Sequence, residues 1–347
     1  MEADWEAEHY AICHQTISVP THLHEGTLHI TDAQLDLSQY EVVSTPVGKG
    51  AYGKVVTVRS IKTHATHAMK IIDKQHATKL CCTAAAQFEI YLHTVISHPN
   101  IIHAIGWAED SLNFYLILEL AEYNLFQYMR SKKLKESEIH SLYMQICSGI
   151  YFLHSNGFLH RDIKPENILL KNGVAKICDF GCAVRTGSAS LRKCGTLEYL
   201  SPELLSSITP QHSIAQDLWS LGVLLYEMKY RRSPFKGKKN SETIYNIISK
   251  STFSGHIDNQ CDDLINKLTN KLPYKRPCWN DIFNHPWMSG SLNPLKAKLL
   301  GCGSCKVNAK MPDEDIPEEI CSKLCSPVRM VPKEKENNPY STNKCKL

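Results

Sequence analysis

The chain has 347 residues, of which 43% are hydrophobic and 21% charged, and its formal net charge is +4. These values are typical of a globular protein with a large core, and the charge is too small to indicate binding to nucleic acid or to a membrane surface. No apolar run approaches the ~18 residues that a membrane-spanning helix requires, so we expect partners of neither kind.

The sequence contains 14 cysteines. Residues 1–8 are acidic and include no apolar segment, so we expect no secretory signal. Without such a signal, the cysteines are expected to be reduced thiols of a cytoplasmic or nuclear protein and not a disulfide framework.

Residues 1–39 show little periodicity and are predicted to form an N-terminal extension. From residue 40 the pattern predicts a strand, a glycine-rich turn and an alternating strand over residues 54–59. The turn has the spacing G-x-G-x-x-G, with Gly48, Gly50 and Gly53. Because a strand and not a helix follows, the motif does not indicate a dinucleotide-binding fold. It favours a flap whose backbone N–H groups approach phosphate oxygens, and an ordinary hairpin turn is the alternative.

The next predicted strand, residues 67–72, is apolar and carries one lysine, Lys70. A lysine in such a strand is costly to bury unless it is paired. The helix predicted over about residues 78–96 carries one acidic residue, Glu89, which is the candidate partner. The alternative is a lysine that points outward from an edge strand. Two more strands are predicted over residues 101–107 and 113–119.

A polar segment follows the long amphipathic helix that the pattern predicts over residues 138–153. Its members have the spacing H-R-D-x-x-x-x-N and are His160, Arg161, Asp162, Lys164 and Asn167. Apolar residues flank it on both sides, so it is a charged loop between two buried elements, where a rigid scaffold can position reactive groups. A hairpin with its turn at Asn172 and Gly173 then leads to the Asp-Phe-Gly sequence at residues 179–181.

These motifs resemble, in their order and spacing, those of eukaryotic protein kinases over about residues 40–288. The resemblance implies an α+β, bilobal protein kinase fold. The small N-lobe, residues 40–121, would be an antiparallel β-sheet with one regulatory helix, and the larger C-lobe, residues 122–288, would be mainly α-helical. Residues 289–347 would form a flexible regulatory tail that contains cysteines.

Within this family, residues 164–167 and 194–199 are similar to Aurora, polo-like and other basophilic Ser/Thr kinases. Residues 179–183 and the glycine-less connection at residues 121–125 are similar to herpesvirus Ser/Thr kinases. A cellular and a viral origin both stay open on the sequence alone.

The resemblance implies a cleft that binds ATP and Mg²⁺. Lys70, held by Glu89, would orient the nucleotide, and Asn167 and Asp179 would bind two Mg²⁺ ions through oxygen atoms. The other implied nucleotide contacts are Gly48, Lys49, Gly50, Gly53, Val55, Ala68, Glu119 and Ala121.

Asp162 would accept the proton of the substrate hydroxyl, and Lys164 would stabilise charge on the transferring group. A pairing of Lys164 with Thr196 is typical of kinases that phosphorylate Ser and Thr in protein substrates. Glu166 and Glu227 match positions that bind substrate arginine in basophilic kinases, so a preference for upstream Arg or Lys is implied.

The sequence leaves alternatives open for the substrate preference and for the function. A basic run over residues 229–239 argues against a basic substrate, unless it is an ordinary solvated loop. A pseudokinase scaffold that binds partners without catalysis is the rival function, although Lys70, Asp162 and Asp179 are all present. A virus-encoded kinase that acts on host proteins is the other alternative.

The activation loop departs from the Aurora pattern, because Arg192 stands where those kinases carry a phosphorylated threonine. Arg161 ordinarily pairs with such a phosphate. We therefore expect activation through phosphorylation of Ser188 or Ser190, or activation without any loop phosphate.

His93 lies one turn after Glu89, where most kinases place an apolar residue. It is either a satisfied interior histidine or the mark of a helix that an activating partner controls. The tail carries two further patterns. Four cysteines over residues 302–325 predict either a zinc site or ordinary thiols, and Ser326-Pro327 with residues 335–337, Lys-Glu-Asn, indicates cell-cycle regulation.

Overall fold

The structure is a computed structural model, and it describes residues 27–28, 35–44, 48–50, 53–187, 194–206, 212–253, 257 and 259–289. For residues 27–28 and 48–50 only the backbone is described. The predicted tail beyond residue 289 lies outside these residues, as do Ser188, Ser190 and Arg192. Each helix in the described ranges is too short or too polar to span a bilayer.

An antiparallel β-sheet forms the first part of the described chain. Its strands and their neighbours are β1 (Thr27–Leu28), β2 (Tyr40–Val42), β3 (Gly48–Gly50), β4 (Gly53–Ser60), β5 (Thr66–Asp73), β6 (Ile96–Ser97), β7 (Ala104–Glu109) and β8 (Asn113–Glu119). The main sheet has the order β2-β4-β5-β8-β7, with β3 paired to β4, and β1 pairs separately with β6. The strands predicted over residues 54–59, 67–72 and 113–119 are confirmed, whereas the strand predicted from Ile101 begins at Ala104.

The alternation of side chains along β4 and β5 gives the sheet two different faces. Val56 and Met69 are buried in one apolar cluster on one face. On the other face, Val55 is opposite Lys70 and Ala68 is opposite Leu118 in the strand register. The register therefore brings three of the residues predicted to contact nucleotide onto the same surface.

Gly53 begins β4 and is opposite Ile72 of β5. A Cβ atom at this position would collide with the backbone carbonyl of Ile71. The sheet itself therefore requires glycine here, and this steric requirement is separate from the approach to phosphate that the motif predicts.

Two helices, and not the single predicted one, follow β5. They are α1 (Lys74–Lys79) and α2 (Thr83–Val95). Asp73 caps α1, because its carboxylate accepts a hydrogen bond from the His76 N–H at 2.7 Å. Between the helices, Cys81 has a φ angle of 54°. This left-handed conformation ends a helix. It is uncommon for a residue with a side chain, and a cysteine therefore gave no signal in the sequence that the helix breaks here.

The second part of the described chain is mainly helical, as the α+β prediction requires. Its helices are α3 (Leu125–Ser131), α4 (Glu136–Ser155), α5 (Pro202–Ser206), α6 (Ile214–Tyr230), α7 (Asn240–Ser249), α8 (Gln260–Leu268), α9 (Trp279–Phe283) and α10 (Pro286–Ser289). Helix α4 confirms the amphipathic helix predicted over residues 138–153. Helix α6 is buried along most of its length, and Gly222 lets α8 approach it closely, since a Cβ there would lie 2.8 Å from the Leu268 Cβ.

The predicted hairpin is also confirmed. It consists of β11 (Ile168–Lys171) and β12 (Val174–Ile177), and the other short strands are β9 (Tyr123–Asn124), β10 (Phe158–Leu159) and β13 (Val184–Arg185). Asn172 and Gly173 at the turn have φ angles of 51° and 77°, as a two-residue hairpin turn of type I′ requires. The hairpin carries Asn167 just before its first strand and Asp179 just after its second.

A buried ion pair joins α5 to the end of the domain. Arg276 is 2% exposed, and its guanidinium donates to both carboxylate oxygens of Glu203 at 2.6 and 2.7 Å. It also donates to the carbonyl oxygens of Asn270 and Ala215. The arginine thus fixes three segments at once.

We expect Arg276→Leu to lower the free energy of unfolding by about 3–5 kcal/mol, because it leaves a partly buried carboxylate without its partner. The matched control is Lys267→Ala, which breaks an exposed pair with Asp263 and should cost less than about 0.5 kcal/mol. Urea unfolding monitored by tryptophan fluorescence measures both. Equal losses in the two variants would contradict the assigned role of Arg276.

Candidate active site

The first half of the site is a cluster of charges on β5 and α2. The Lys70 Nζ atom lies 2.6 Å from the Glu89 Oε1 atom and 2.9 Å from the Asp179 Oδ1 atom. Burial alone would lower the pKa of Lys70, but the attraction of the two carboxylates outweighs it and raises that pKa. Lys70 also holds the pKa of Asp179 well below its usual range. The cluster therefore keeps both the buried Lys70 and the partly exposed Asp179 charged.

The second half of the site surrounds Asp162, which is 8% exposed. Its carboxylate accepts hydrogen bonds from Lys164 Nζ at 2.7 Å, Asn167 Nδ2 at 2.9 Å and Thr196 Oγ1 at 2.9 Å. Lys164 also donates to Thr196 Oγ1 at 2.7 Å, which confirms the predicted pairing. A carboxylate that accepts from several donors is fixed in orientation and is available as a proton acceptor at its free lone pairs.

The hairpin connects the two halves. The Cys178 N–H donates to the Asn167 carbonyl oxygen at 2.9 Å, and Asp179 is the next residue. His160 Nε2 lies 3.1 Å from the Cys178 carbonyl oxygen. The structure therefore brings together all four residues that were predicted as catalytic with both predicted metal ligands.

Asp217 at the start of α6 holds the loop in place. Its carboxylate accepts hydrogen bonds from the backbone N–H groups of His160 and Arg161, each at 2.8 Å, and lies 2.9 Å from His154 Nε2. Arg161 and Asp179 have φ angles of 64° and 65°, which residues with side chains rarely adopt. The strained backbone next to the reactive groups is thus supported by a buried anion on a rigid helix.

The predicted nucleotide contacts are placed as follows. Val55, Ala68 and Lys70 share one face of the sheet, and the backbone of residues 48–50 forms β3 beside β4. The Glu119 carboxylate is bound by Lys171, Lys176 and the His103 N–H at 2.7–2.9 Å. Because its side chain is already satisfied, Glu119 would contact a nucleotide through its backbone, and Ala121 follows it in the connection to β9.

Two residues of the same pocket wall were missed by the sequence reasoning. Leu169 and Cys178 pack against the apolar cluster of Leu116 and Leu118, where Ala68 also packs. These side chains form an apolar surface between the sheet and the hairpin, which suits a planar base. The alternation along β11 was the available signal for Leu169, and the position directly before Asp179 was the signal for Cys178.

The residues present fit Mg²⁺. Asn167 uses its amide nitrogen for Asp162, so its carbonyl oxygen is the atom left for a cation, and the Asp179 side chain is 40% exposed. Across the described residues, no group of three or more His, Cys, Asp or Glu side chains could hold a metal alone. A protein usually supplies one or two oxygen ligands to Mg²⁺ when phosphates and water complete its coordination.

Arg161 has a partner that the sequence reasoning did not identify. Its Nη1 atom lies 2.8 Å from His212 Nε2, and its Nε atom donates to the Cys182 carbonyl oxygen at 2.6 Å. Because arginine only donates, His212 Nε2 accepts, and the His212 Nδ1 proton points to Gln216 Oε1 at 3.2 Å. A neutral histidine thus binds the arginine that in related kinases ordinarily pairs with a loop phosphate.

One expectation from composition is wrong for two cysteines. Cys182 and Cys194 are joined by a disulfide across 12 residues, with their Cα atoms 5.7 Å apart. The free cysteines in the described part of the chain are residues 81, 82, 147, 178, 261 and 278. The count of cysteines indicated reduced thiols throughout, but it carries no information on which pairs the fold brings within bonding distance.

His93 is an interior residue, but it is not a satisfied one. It is 3% exposed, its ring centroid lies 4.6 Å from that of Phe180, and neither ring nitrogen has a hydrogen-bond partner among the described residues. Burial lowers the pKa of His93 to about 3. The interpretation of His93 as an interior histidine is therefore correct, but the expectation that its ring nitrogens are hydrogen-bonded is wrong.

The comparison with known families agrees with this geometry. The family model described as the protein kinase domain matches residues 40–288. The chain therefore belongs to the protein kinase family.

The relatives place it more narrowly. Serine/threonine-protein kinase PLK4 of Drosophila sechellia is 33% identical over 260 residues, which are 73% of this chain and 33% of that protein. The Drosophila ananassae protein of the same name is 32% identical over 264 residues, 74% of this chain and 34% of that protein. The chain thus spans about a third of the length of these curated relatives. The predicted resemblance to polo-like Ser/Thr kinases is confirmed.

We predict that His93→Leu reduces the acid sensitivity of the fold. In the unfolded chain a histidine binds its proton with a pKa near 6.5, but in the folded chain only at about 3. Between these values the unfolded state holds more protons, so stability falls as the pH drops below about 6.5. At pH 5, His93 therefore lowers the free energy of unfolding by about 2 kcal/mol.

Thermal melts at pH 7 and pH 5 measure this difference. Between the two pH values, the melting temperature of the wild type should fall by about 4–8 °C more than that of His93→Leu. His98, whose pKa burial lowers to about 4, stays in both proteins and accounts for a residual slope. An equal fall in melting temperature in the two proteins would show that His93 is not the buried neutral histidine described above.

Proposed function

We propose that this chain transfers the γ-phosphate of ATP to Ser and Thr hydroxyls of protein substrates. The observation that supports the proposal most directly is the hydrogen-bonded group of Asp162, Lys164 and Thr196, linked through the hairpin to the Lys70–Asp179 pair. Phosphoryl transfer asks a protein mainly for positioning and for neutralisation of charge, and these residues supply both.

Each residue has a separate task in this proposal. Asp162 orients the substrate hydroxyl and takes its proton, while Lys164 and Thr196 fix the carboxylate. The ammonium group of Lys164 also brings a positive charge to the transferring group. Lys70 is positioned by Glu89 to bind phosphate oxygens. Mg²⁺, when bound with ATP, neutralises charge on the phosphates.

A pseudokinase scaffold is the alternative from another class. It would not need a lysine paired with a helix carboxylate at 2.6 Å, nor a fixed aspartate in the loop, and both are present. A viral kinase that acts on host proteins would use the same chemistry, so only the substrate distinguishes it from a cellular one.

We expect Asp162→Asn to reduce the transfer of labelled phosphate to a basic protein such as histone by about 100- to 10,000-fold. The dissociation constant for Mg·ATP should stay within about threefold, because Asp162 is not predicted to contact the nucleotide. Asp263→Asn, whose side chain is exposed on α8, is the matched control and should keep full activity. A wild-type chain that binds Mg·ATP without transferring phosphate would support the scaffold instead.

We also propose a preference for substrates with upstream Arg or Lys. Burial raises the pKa of Glu227, and the nearby Glu166 and Glu198 raise it further. The Tyr199 hydroxyl donates to Glu227 and orients it. Three carboxylates close enough to repel one another are stabilised when a cationic side chain binds between them, which is a physical reason for binding a guanidinium there.

The basic run that argued against this preference is partly neutralised. Lys236 Nζ lies 2.8 Å from the Glu198 Oε1 atom, and Lys229 Nζ lies 2.9 Å from the Asp262 Oδ1 atom. Pairing with carboxylates of the same domain reduces the repulsion that these lysines would exert on a basic peptide.

The double variant Glu166→Gln/Glu227→Gln should raise the KM for a peptide with Arg two or three residues before the target serine by about 10- to 100-fold, since two charge-assisted contacts are lost. The KM for the matched Ala peptide should change by less than about twofold. Glu109→Gln on the distant strand β7 is the control. A peptide array that favours acidic residues at these positions would refute the proposed preference.

The cell-cycle role, a cytoplasmic or nuclear location and an activating partner on α2 belong to the same proposal. The first is supported by Ser326-Pro327 and residues 335–337, which lie outside the described residues. The Lys70–Glu89 contact forms within the single chain, so a partner would stabilise α2 and would not need to create the pair. A proteome-wide comparison of phosphosites with active and Asp162→Asn chains tests the role.

A further inference from the structure

The disulfide lies between the two functional ends of the activation segment, which we define as residues 179–203. Cys182 follows the predicted metal ligand Asp179 by three residues, and Cys194 precedes Thr196 by two. Thr196 in turn bonds Asp162 at 2.9 Å. The covalent bond therefore links the part of the segment that carries a metal ligand to the part that contacts the catalytic aspartate.

Both ends also contact Arg161 of the catalytic loop. The Cys182 carbonyl oxygen accepts from Arg161 Nε at 2.6 Å. Gly195, with a φ angle of 115°, lies so close that a Cβ there would be 2.7 Å from the Arg161 carbonyl oxygen. The disulfide, Arg161 and Gly195 thus form one compact unit at the base of the segment.

The access of the cysteines differs across the described chain. Cys82, Cys147, Cys261 and Cys278 are buried, whereas Cys182 and Cys194 are both partly exposed. A soluble oxidant or reductant can therefore reach the pair. In proteins of reducing compartments, disulfides are usually transient and serve as redox sensors.

We propose that Cys182 and Cys194 form a reversible disulfide that holds the activation segment in its assembled arrangement, so that mild oxidation by a peroxide raises kinase activity. This inference rests on the function proposed above. The Lys70–Glu89, Lys70–Asp179 and Lys164–Thr196 contacts are all present together with the disulfide. A cross-link removes mainly the conformations in which the ends of a segment separate, so it increases the population of the assembled state.

The redox step is balanced as follows. One cysteine thiolate attacks a peroxide oxygen, the O–O bond breaks, and a sulfenic acid and water form. The second thiol then displaces the sulfenic hydroxyl group as water and forms the S–S bond. Overall, two thiols lose two electrons and two protons, and hydrogen peroxide is reduced to two water molecules. A dithiol such as dithiothreitol reverses the step by thiol–disulfide exchange.

The test uses the full-length chain after treatment with dithiothreitol or with hydrogen peroxide. Transfer of labelled phosphate to an Arg-containing serine peptide should be roughly three- to tenfold faster in the peroxide-treated chain. Mass spectrometry of a non-reducing digest should identify the Cys182–Cys194 peptide pair with a loss of two hydrogens. The rate of proteolysis within residues 183–193 should fall in parallel.

Cys182→Ser and Cys194→Ser should each show the activity of the reduced wild type in both treatments. The double variant should equal either single variant, because each one removes the same bond. Cys81→Ser, which removes an exposed cysteine outside the segment, is the matched control and should keep the full response. Melting temperatures of all variants report whether a lost response is merely a lost fold.

Absence of the cross-linked peptide after oxidation would overturn the proposal, as would a peroxide response that persists in Cys182→Ser. Failure of the kinase function gives a different result. If neither redox form transfers phosphate, the proposed activity is wrong, while the cross-linked peptide and the change in proteolysis still test the redox device.

Discussion

The catalytic loop depends on one buried carboxylate. Asp217 is 0% exposed, and burial alone would raise its pKa, but hydrogen bonds from His154 and from the loop backbone lower that pKa and keep the group ionised. Since its partners include the N–H groups of His160 and Arg161, the strained path of the loop adds two donors to the one that His154 supplies. The hydrogen bonds from the loop backbone therefore help to offset the free-energy cost of burying the carboxylate. The buried carboxylate in turn holds the loop in this conformation.

The two charged clusters of the site join different elements of the chain and have different tasks. Lys70, held between Glu89 and Asp179, joins a strand and a helix of the sheet region to the activation segment. Asp162, held by Lys164 and Asn167, stays within the helical region. A change in the position of α2 would break the first cluster and leave the second intact. The arrangement thus separates nucleotide binding from proton transfer, and the hairpin that carries Asn167 and Asp179 connects the two.

The parts that could be predicted from the sequence are those with a local signal or a family spacing. The Asn172–Gly173 turn follows from two residues that tolerate positive φ, and the Lys70–Glu89 pair follows from a single charge in each of two apolar elements. The break at Cys81 has no glycine to mark it, and the contact of Arg161 with His212 joins residues far apart in sequence. The Cys182–Cys194 pair joins residues 12 positions apart, and composition does not encode which cysteines the fold brings together.

Two buried side chains of α2 carry polar atoms that lack a hydrogen-bond partner among the described residues, and one of them packs against Phe180 of the activation segment. His93 is buried against Phe180 without a partner for either ring nitrogen, and the second carboxylate oxygen of Glu89 also has none among the described residues. An apolar residue at position 93 would pack against Phe180 without this desolvation cost. The interior contact that holds Phe180 in place is therefore weaker than it needs to be. Restraint of the segment then comes from its other attachments, which include the Arg161–Cys182 hydrogen bond, the Lys164–Thr196 contact and the disulfide at its base.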